Sequence, residues 1–361
     1  MSRIIYLLGA GASRGQRGEP NPKTFNTHAF VPGKGYFDGV GHCANIISGV
    51  PIVNEIPGRL QWLIQRIRDI ENKNQEHHIG ASNPHRIELI NELEWLASNA
   101  SKHASIDTFA KKLFLTDNRT DYYRLKRGLT IFLNYEQMVN PPDPRYDSFL
   151  ASILQNKRDG FPDDVSIVSW NYDVQLEMAY REYYPHEDIG TLSYLLNVRD
   201  KNQEGKSDEP YRETKGFRVL KLNGSAYVNS EVYNADASDN DSIEKLCKLY
   251  QSITNKNRLL SFAWEEPREH YIQRIFDCVK DASVLVVIGY SFPFFNREID
   301  RMVFKSMRSL GKIYIQDPNA ENVKQSLRSA LTPEQLTMAK LMNHVECIPI
   351  NENQFFLPPE L

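Results

Sequence analysis

Cysteine is scarce in this chain: Cys43, Cys247, Cys278 and Cys347 are the only four in 361 residues, and no two form a CxxC pair. That excludes a zinc ribbon and a disulfide framework, and it fits a reducing, cytoplasmic setting. No apolar run is long enough to cross a bilayer, and a strand-like run starts at Arg3 where a signal peptide would place its basic and apolar regions. Neither sign of charge is in excess: 43 Lys and Arg against 46 Asp and Glu leave a formal net charge of -3. A basic footprint for nucleic acid or an anionic membrane is therefore missing, and neither is expected as a ligand. Internal repeats and heptads are absent too. What is present is an ordinary globular composition, 41% apolar and 25% charged, with enough length for a substantial core.

The run RIIYLL, Arg3 to Leu8, reads as a short buried strand that enters GAGAS directly. An irregular Gly/Pro-rich stretch follows to about Gly58, of the kind that forms lids, binding loops or disordered segments. Helical spacing then takes over: Leu60, Leu63, Ile64, Ile67 and Ile70 share a face, as do Ile106, Phe109, Ala110, Leu113 and Phe114. HRIELINELEWLA and YYRLKRGLTIFLNYEQM read the same way, which predicts a helical module over 59–155. Beyond it, VSIVSW (165–170), FRVLKL (217–222), SVLVVIG (283–289), KIYIQ (312–316) and HVECIPI (344–350) read as strands, with REIDRMVFKSM and NAENVKQSLRSAL as helices between the last three. Strands that are apolar throughout and separated by helices predict a parallel sheet covered on both faces. The expected fold is α/β, a modified Rossmann-like parallel sheet in one domain over 1–361, with the helical module inserted after the first strand. Two polar segments, DKNQEGKSDEPYRETKG and NSEVYNADASDNDS, read as surface loops.

Open α/β sheets bind ligands beyond the carboxyl ends of their strands, so the residues delivered there matter most. The first strand delivers Gly9, Ala10, Gly11, Ala12 and Ser13, which reads either as a tight turn or as a backbone cradle for a pyrophosphate. Arg14 stands where a dinucleotide fingerprint has its third glycine, and no strand-borne acid follows about twenty residues on, so an ordinary dehydrogenase site is not expected. SWNYD delivers Asn171 and Asp173, the latter also a candidate N-cap for the helix DVQLEMAYREYY. LNGS delivers Asn223. GYSF delivers Gly289 and Ser291, and QDPN delivers Asp317, which fits a ribose diol or a helix cap.

GAGAS, SWNYD, LNGS and GYSF, in this order and on these strands, resemble the sirtuin-like NAD-hydrolase family, above all its bacterial anti-phage defence branch; SIDTFA, Ser105 to Ala110, resembles a stretch found there too. The resemblance implies NAD lying across the strand ends. Gly9, Ala10, Gly11, Ala12 and Ser13 would cradle the pyrophosphate. Asn171 and Asp173 would hold the nicotinamide ribose and the carboxamide or attacking water. Gly289 and Ser291, with Asp317, would face the phosphates and the adenosine ribose. It further implies NAD as substrate with ADP-ribose as product, a homo-oligomer, and in some members a HerA-like ATPase partner.

The chain departs from that family twice. Deacylase members carry a four-cysteine zinc module that nothing here can form, which favours simple NAD hydrolysis and predicts no metal. Second, Asn223 stands where the family has a histidine as general base, and an amide takes up no proton near neutral pH. Three readings stay open: a His-to-Asn inactivated form, a natural pseudoenzyme that senses NAD or ADP-ribose for a partner, or a different base, with His186 the nearest candidate. The other histidines (His28, His42, His77, His78, His85, His103, His270 and His344) show no partner pattern.

Overall fold

The computed structural model describes residues 3–13, 55–76, 84–139, 142–155, 160–201, 216–226, 239–253, 260–265, 269–337, 341–351 and 353–361. Most of the long loop after GAGAS and most of both polar segments, together with His28, His42, His77, His78 and Cys43, lie outside these residues. Seven strands form one all-parallel sheet: β1 (Arg3–Leu8), β2 (Val165–Ser169), β3 (Val198–Asp200), β4 (Arg218–Lys221), β5 (Ala282–Ile288), β6 (Lys312–Gln316) and β7 (Val345–Ile348). Their spatial order is β3-β4-β2-β1-β5-β6-β7. β1 is central, with Tyr6 facing Ile167 of β2 on one side and Val286 of β5 on the other. The architecture is Rossmann-like α/β.

Helices cover both faces because the strands bury both. Between β1 and β2 lie α1 (Glu55–Glu76), α2 (Pro84–Ala100), α3 (Ile106–Leu115), α4 (Arg119–Val139) and α5 (Pro144–Ile153). α1 begins four residues before the expected boundary; Pro57 is tolerated in its first turn, where a helix has no acceptor for the missing N–H. Ser105 caps α3 by accepting from the Thr108 amide, which fixes where that helix starts. Leu63, Ile67, Phe109, Leu129 and Phe149 share one core with Tyr6, Leu8 and Ile167, so the inserted helices and this sheet face are a single packed unit. On the same face sit α6 (Gln175–Tyr180), α7 (Ile189–Leu195) and α8 (Asp239–Ser252). The opposite face carries α9 (Glu269–Val279), α10 (Arg297–Ser306) and α11 (Ala320–Leu327), packed on Ile5, Leu7, Val168 and Val287. A short α12 (Pro333–Thr337) precedes β7.

The chain leaves β1 towards β2, β3 and β4, and continues from β5 in the other direction to β6 and β7. The reversal places the topological switch point at the carboxyl ends of β1 and β5, where open sheets of this kind form their crevice. Among the described residues, no helix is long and apolar enough to cross a membrane.

Candidate functional site

The strand ends converge on Ser13. After β1 the chain turns through Gly9 into a short 3-10 turn, Ala10–Ser13. Ser13 Oγ lies 2.9 Å from the Tyr146 hydroxyl of α5 and accepts from Asn171 Nδ2 at 3.0 Å. The second proton of that amide goes to Gly9 O, also at 3.0 Å, so Asn171 ties the end of β2 to both ends of the β1 turn. Arg145 secures the turn from outside: its guanidinium donates to Gly11 O at 2.8 Å and pairs with buried Asp143 at 2.7 Å. Neither Arg145 nor Asp143 stood out in the sequence, because DPR reads only as a helix start.

The glycines at the switch point face one another. A Cβ on Gly9 would lie 2.6 Å from Gly289 O, and one on Gly11 would lie 2.8 Å from Gly289 Cα. The Gly9 amide donates to Ile288 O, that of Gly11 to Gly289 O, and that of Ala12 to Gly9 O. Three of the five GAGAS amides are thus engaged within the protein. Gly289 has φ +58°, a left-handed conformation suited to glycine.

Asp173 follows Asn171 into a buried setting. Its Oδ1 accepts from the Gln175 amide at 3.2 Å, an N-terminal turn on α6, while its Oδ2 is buried with no hydrogen-bond partner. Burial raises its pKa, opposed by the nearby Lys221 charge and by the hydrogen bond from the Gln175 amide. Lys221, the last residue of β4, is itself buried; its ammonium donates to Asp173 O at 2.6 Å and contacts Glu177 Oε1 at 2.7 Å. The signal for Glu177 was present in the sequence: Asp173 and Glu177 are four apart on a helical run and share a face.

Two residues beyond Lys221, Asn223 turns the chain ahead of Gly224 (φ +80°). Its carbonyl accepts both the amide and the hydroxyl of Ser261, at 2.8 and 3.1 Å. Its side-chain Oδ1 is buried and takes no hydrogen bond among the described residues. On the neighbouring β2 end, Asn171 spends both amide protons, and no hydrogen bond reaches its Oδ1 among the described residues. Two amide oxygens on adjacent strand ends are therefore free to accept.

The β5 end is a separate buried cluster. Tyr290 donates to Asp300 Oδ2 at 2.8 Å, Trp170 Nε1 donates to Asp300 Oδ1 at 3.1 Å, and Asn296 Nδ2 donates to the Tyr290 hydroxyl at 3.1 Å. Burial pushes the Asp300 carboxyl up to about 8 despite these donors and the Arg297 charge. Ser291 is exposed beside this cluster. Asp317, after β6, accepts from the Asn319 amide at 2.8 Å and so shapes the turn into α11. The sequence-derived residues divide accordingly: Ser13, Asn171 and Asp173 are brought into one bonded network. Asn223 is joined to it through β4 and Lys221. Ser291 and Asp317 stand at the rim.

The histidines lie elsewhere. His186, His270 and His344 are exposed, His85 is half-buried, and His103 stacks on Phe109 with ring centroids 4.6 Å apart. His186 sits in the turn between α6 and α7. Among the described residues, no group of three or more His, Cys, Asp or Glu is placed to hold a metal ion. No family model, curated protein or solved structure matches the chain.

Proposed function

We propose that the carboxyl edge of the sheet binds NAD or ADP-ribose, and that the chain is an NAD glycohydrolase of the sirtuin-like defence type whose turnover is weakened by Asn223. The observation that carries this reading is Asn223 Oδ1, buried at the end of β4 without a hydrogen-bond partner among the described residues, beside Asn171 on the adjacent strand end, whose amide protons are both held by the β1 turn. A buried acceptor without a donor costs ~1–3 kcal/mol, and such orphans are retained where a ligand supplies the missing group. Ribose hydroxyls and a carboxamide NH2 are donors of the right kind; a phosphate is not. The switch-point location agrees with a dinucleotide laid across β1 and β5.

In the reaction, the nicotinamide–ribose bond breaks, nicotinamide leaves as a neutral molecule, and water adds to the oxocarbenium-like ribose with loss of one proton. Asn171, held rigidly by Gly9 and Ser13, positions the ribose or the water. Asp173 supplies negative potential beneath the developing cation. The proton released from water is the unsupported step, because Asn223 cannot take it up. The same feature favours a second reading, a sensor that binds NAD or ADP-ribose and passes its occupancy to a partner such as a HerA-like ATPase. Self-association belongs to both readings.

Calorimetry with NAD and ADP-ribose tests the binding, and nicotinamide release separates enzyme from sensor. Binding that is unchanged in Asn171→Ala and Asn223→Ala, both shown to be folded, would remove the site.

A further inference from the structure

Beneath Asp173 lies a small internal cavity walled by Leu8, Ile167 and Val219 of the sheet and Leu176 of α6. Asp173, Glu177, Lys221, Ser169 and Tyr146 contribute its polar lining. The space open to the centre of a water molecule is about 10 Å³. That is the size at which a cavity admits one water, provided two to four polar partners are available.

The polar inventory around this space is incomplete in a specific way. The Lys221 ammonium has three protons: one is placed on Asp173 O at 2.6 Å, and the Glu177 contact at 2.7 Å is a Coulombic pairing without hydrogen-bond alignment. Among the described residues, Asp173 Oδ2 and both Glu177 oxygens are buried without a hydrogen-bond donor. Asp173 is 5% exposed and Glu177 1%. Carboxyl oxygens at that depth are costly unless hydrogen-bonded.

We infer that this cavity is a binding site for a single ordered water, which accepts a proton of Lys221 and donates to Asp173 Oδ2 and Glu177 Oε2. One molecule in that position takes a second Lys221 proton and supplies a donor to Asp173 Oδ2 and Glu177 Oε2, while Glu177 Oε1 keeps its Coulombic contact with the ammonium. A cation does not serve, because it would lie against the Lys221 ammonium in a low-dielectric interior. The inference does not rest on the NAD reading, but it bears on it. The water directs the Asp173 carboxyl inward and makes Lys221 and Glu177 positioning residues for it, leaving the amides of Asn171 and Asn223 as the groups that face a ligand.

The test is a high-resolution crystal structure of the full chain, paired with one of the double variant Lys221→Met/Glu177→Leu. Both charges go together in that variant, because removing one alone leaves the other buried and unpaired. The expected result for the native chain is one density peak at ~2.7–3.2 Å from Lys221 Nζ, Asp173 Oδ2 and Glu177 Oε2. In the double variant two of the three proposed partners are gone and the peak should vanish. An absent peak in the native chain overturns the inference. So does a peak with contacts of ~2.0–2.6 Å to several oxygens, the signature of a cation, or one that persists unchanged in the double variant. Should the double variant not fold, the native structure decides alone.

Discussion

Gly11 and Gly289 meet backbone to backbone across the boundary between β1 and β5: a Cβ on Gly289 would lie 2.4 Å from Gly11 Cα. The Gly11 amide donates to Gly289 O at 2.9 Å, so the contact is bonded as well as close. Glycines that a sequence reading assigns to the approach of a phosphate are here required by the approach of another strand's turn. The two uses are compatible, but only the second acts in the free protein.

The first prediction follows from that contact. Gly289→Ala adds a methyl group against main chain that cannot swing aside, at a residue with φ +58°. Left-handed strain and overpacking together should lower stability by ~2–5 kcal/mol. Chemical denaturation should show an earlier midpoint in the free protein. An unchanged midpoint would mean that the two turns are not in contact.

Asp300 sets a pH dependence. Burial, the largest cause, pushes its folded-state pKa up to about 8 from the ordinary 3.8. Between those values the native state binds the extra proton, so this group's contribution to stability is present below about pH 4 and is lost as pH rises to about 8. The slope is up to ~1.4 kcal/mol per pH unit. Asp107, also raised to about 8 by burial, acts in the same direction. Asp300→Asn keeps the shape, can still accept from Trp170 and carries no charge. Its melting temperature relative to the native protein should therefore rise between pH 5 and pH 9. Parallel melting curves across that range would show that Asp300 does not titrate there.

Much of the sheet was legible because β2, β4, β5 and β6 are apolar on both faces and flanked by helices, which permits no other packing. β3 was not legible: three residues, Val198 to Asp200, at the sheet edge leave no apolar run, and only pairing with β4 defines them. α8 was not read: its first four residues fall in the polar segment 229–242, and Ile243, Leu246 and Cys247, which recur at helical spacing, follow directly after it. Within the site, the strand-end residues were readable by position and their bonds were not, because Ser13 and Asn171 are 158 positions apart. Asp300 illustrates a signal overlooked: it precedes Val303 and Phe304 by three and four residues, which places it on the buried face of α10.

The Lys221–Glu177 pair gives a stability test of a different kind. Lys221→Met alone leaves the Glu177 carboxylate in a site where its side chain is 1% exposed, and should cost ~3–5 kcal/mol. Replacing both partners removes the unpaired charge, so the double variant Lys221→Met/Glu177→Leu should be more stable than the single one by a measurable margin. Urea denaturation of all four members of the cycle gives the coupling energy directly. Additive losses would show that the two side chains do not interact.

The last prediction concerns catalysis at Asn223. A positioned general base contributes ~10²–10⁴-fold, so a chain lacking one should bind NAD and hydrolyse it slowly. Asn223 Oδ1 is already buried at the end of β4 and the neighbouring Asn171 is held by two hydrogen bonds, so the place for a base is formed before any ligand arrives. An imidazole at that position is larger than the amide by two ring atoms and keeps an acceptor nitrogen where Oδ1 now lies. Asn223→His should therefore raise nicotinamide release by ~10²–10⁴-fold with little change in NAD affinity, since the gain belongs to the proton-transfer step rather than to binding. The pH–rate profile should acquire a limb near the histidine pKa of ~6.5 that the native chain lacks. Adding Asn171→Ala to that variant should remove the gain, because the base would remain while the ribose and water lose their positioning. If the native chain turns over rapidly and Asn223→His changes neither rate nor pH profile, the base lies outside this cluster; His186→Ala is then the variant that must lose activity.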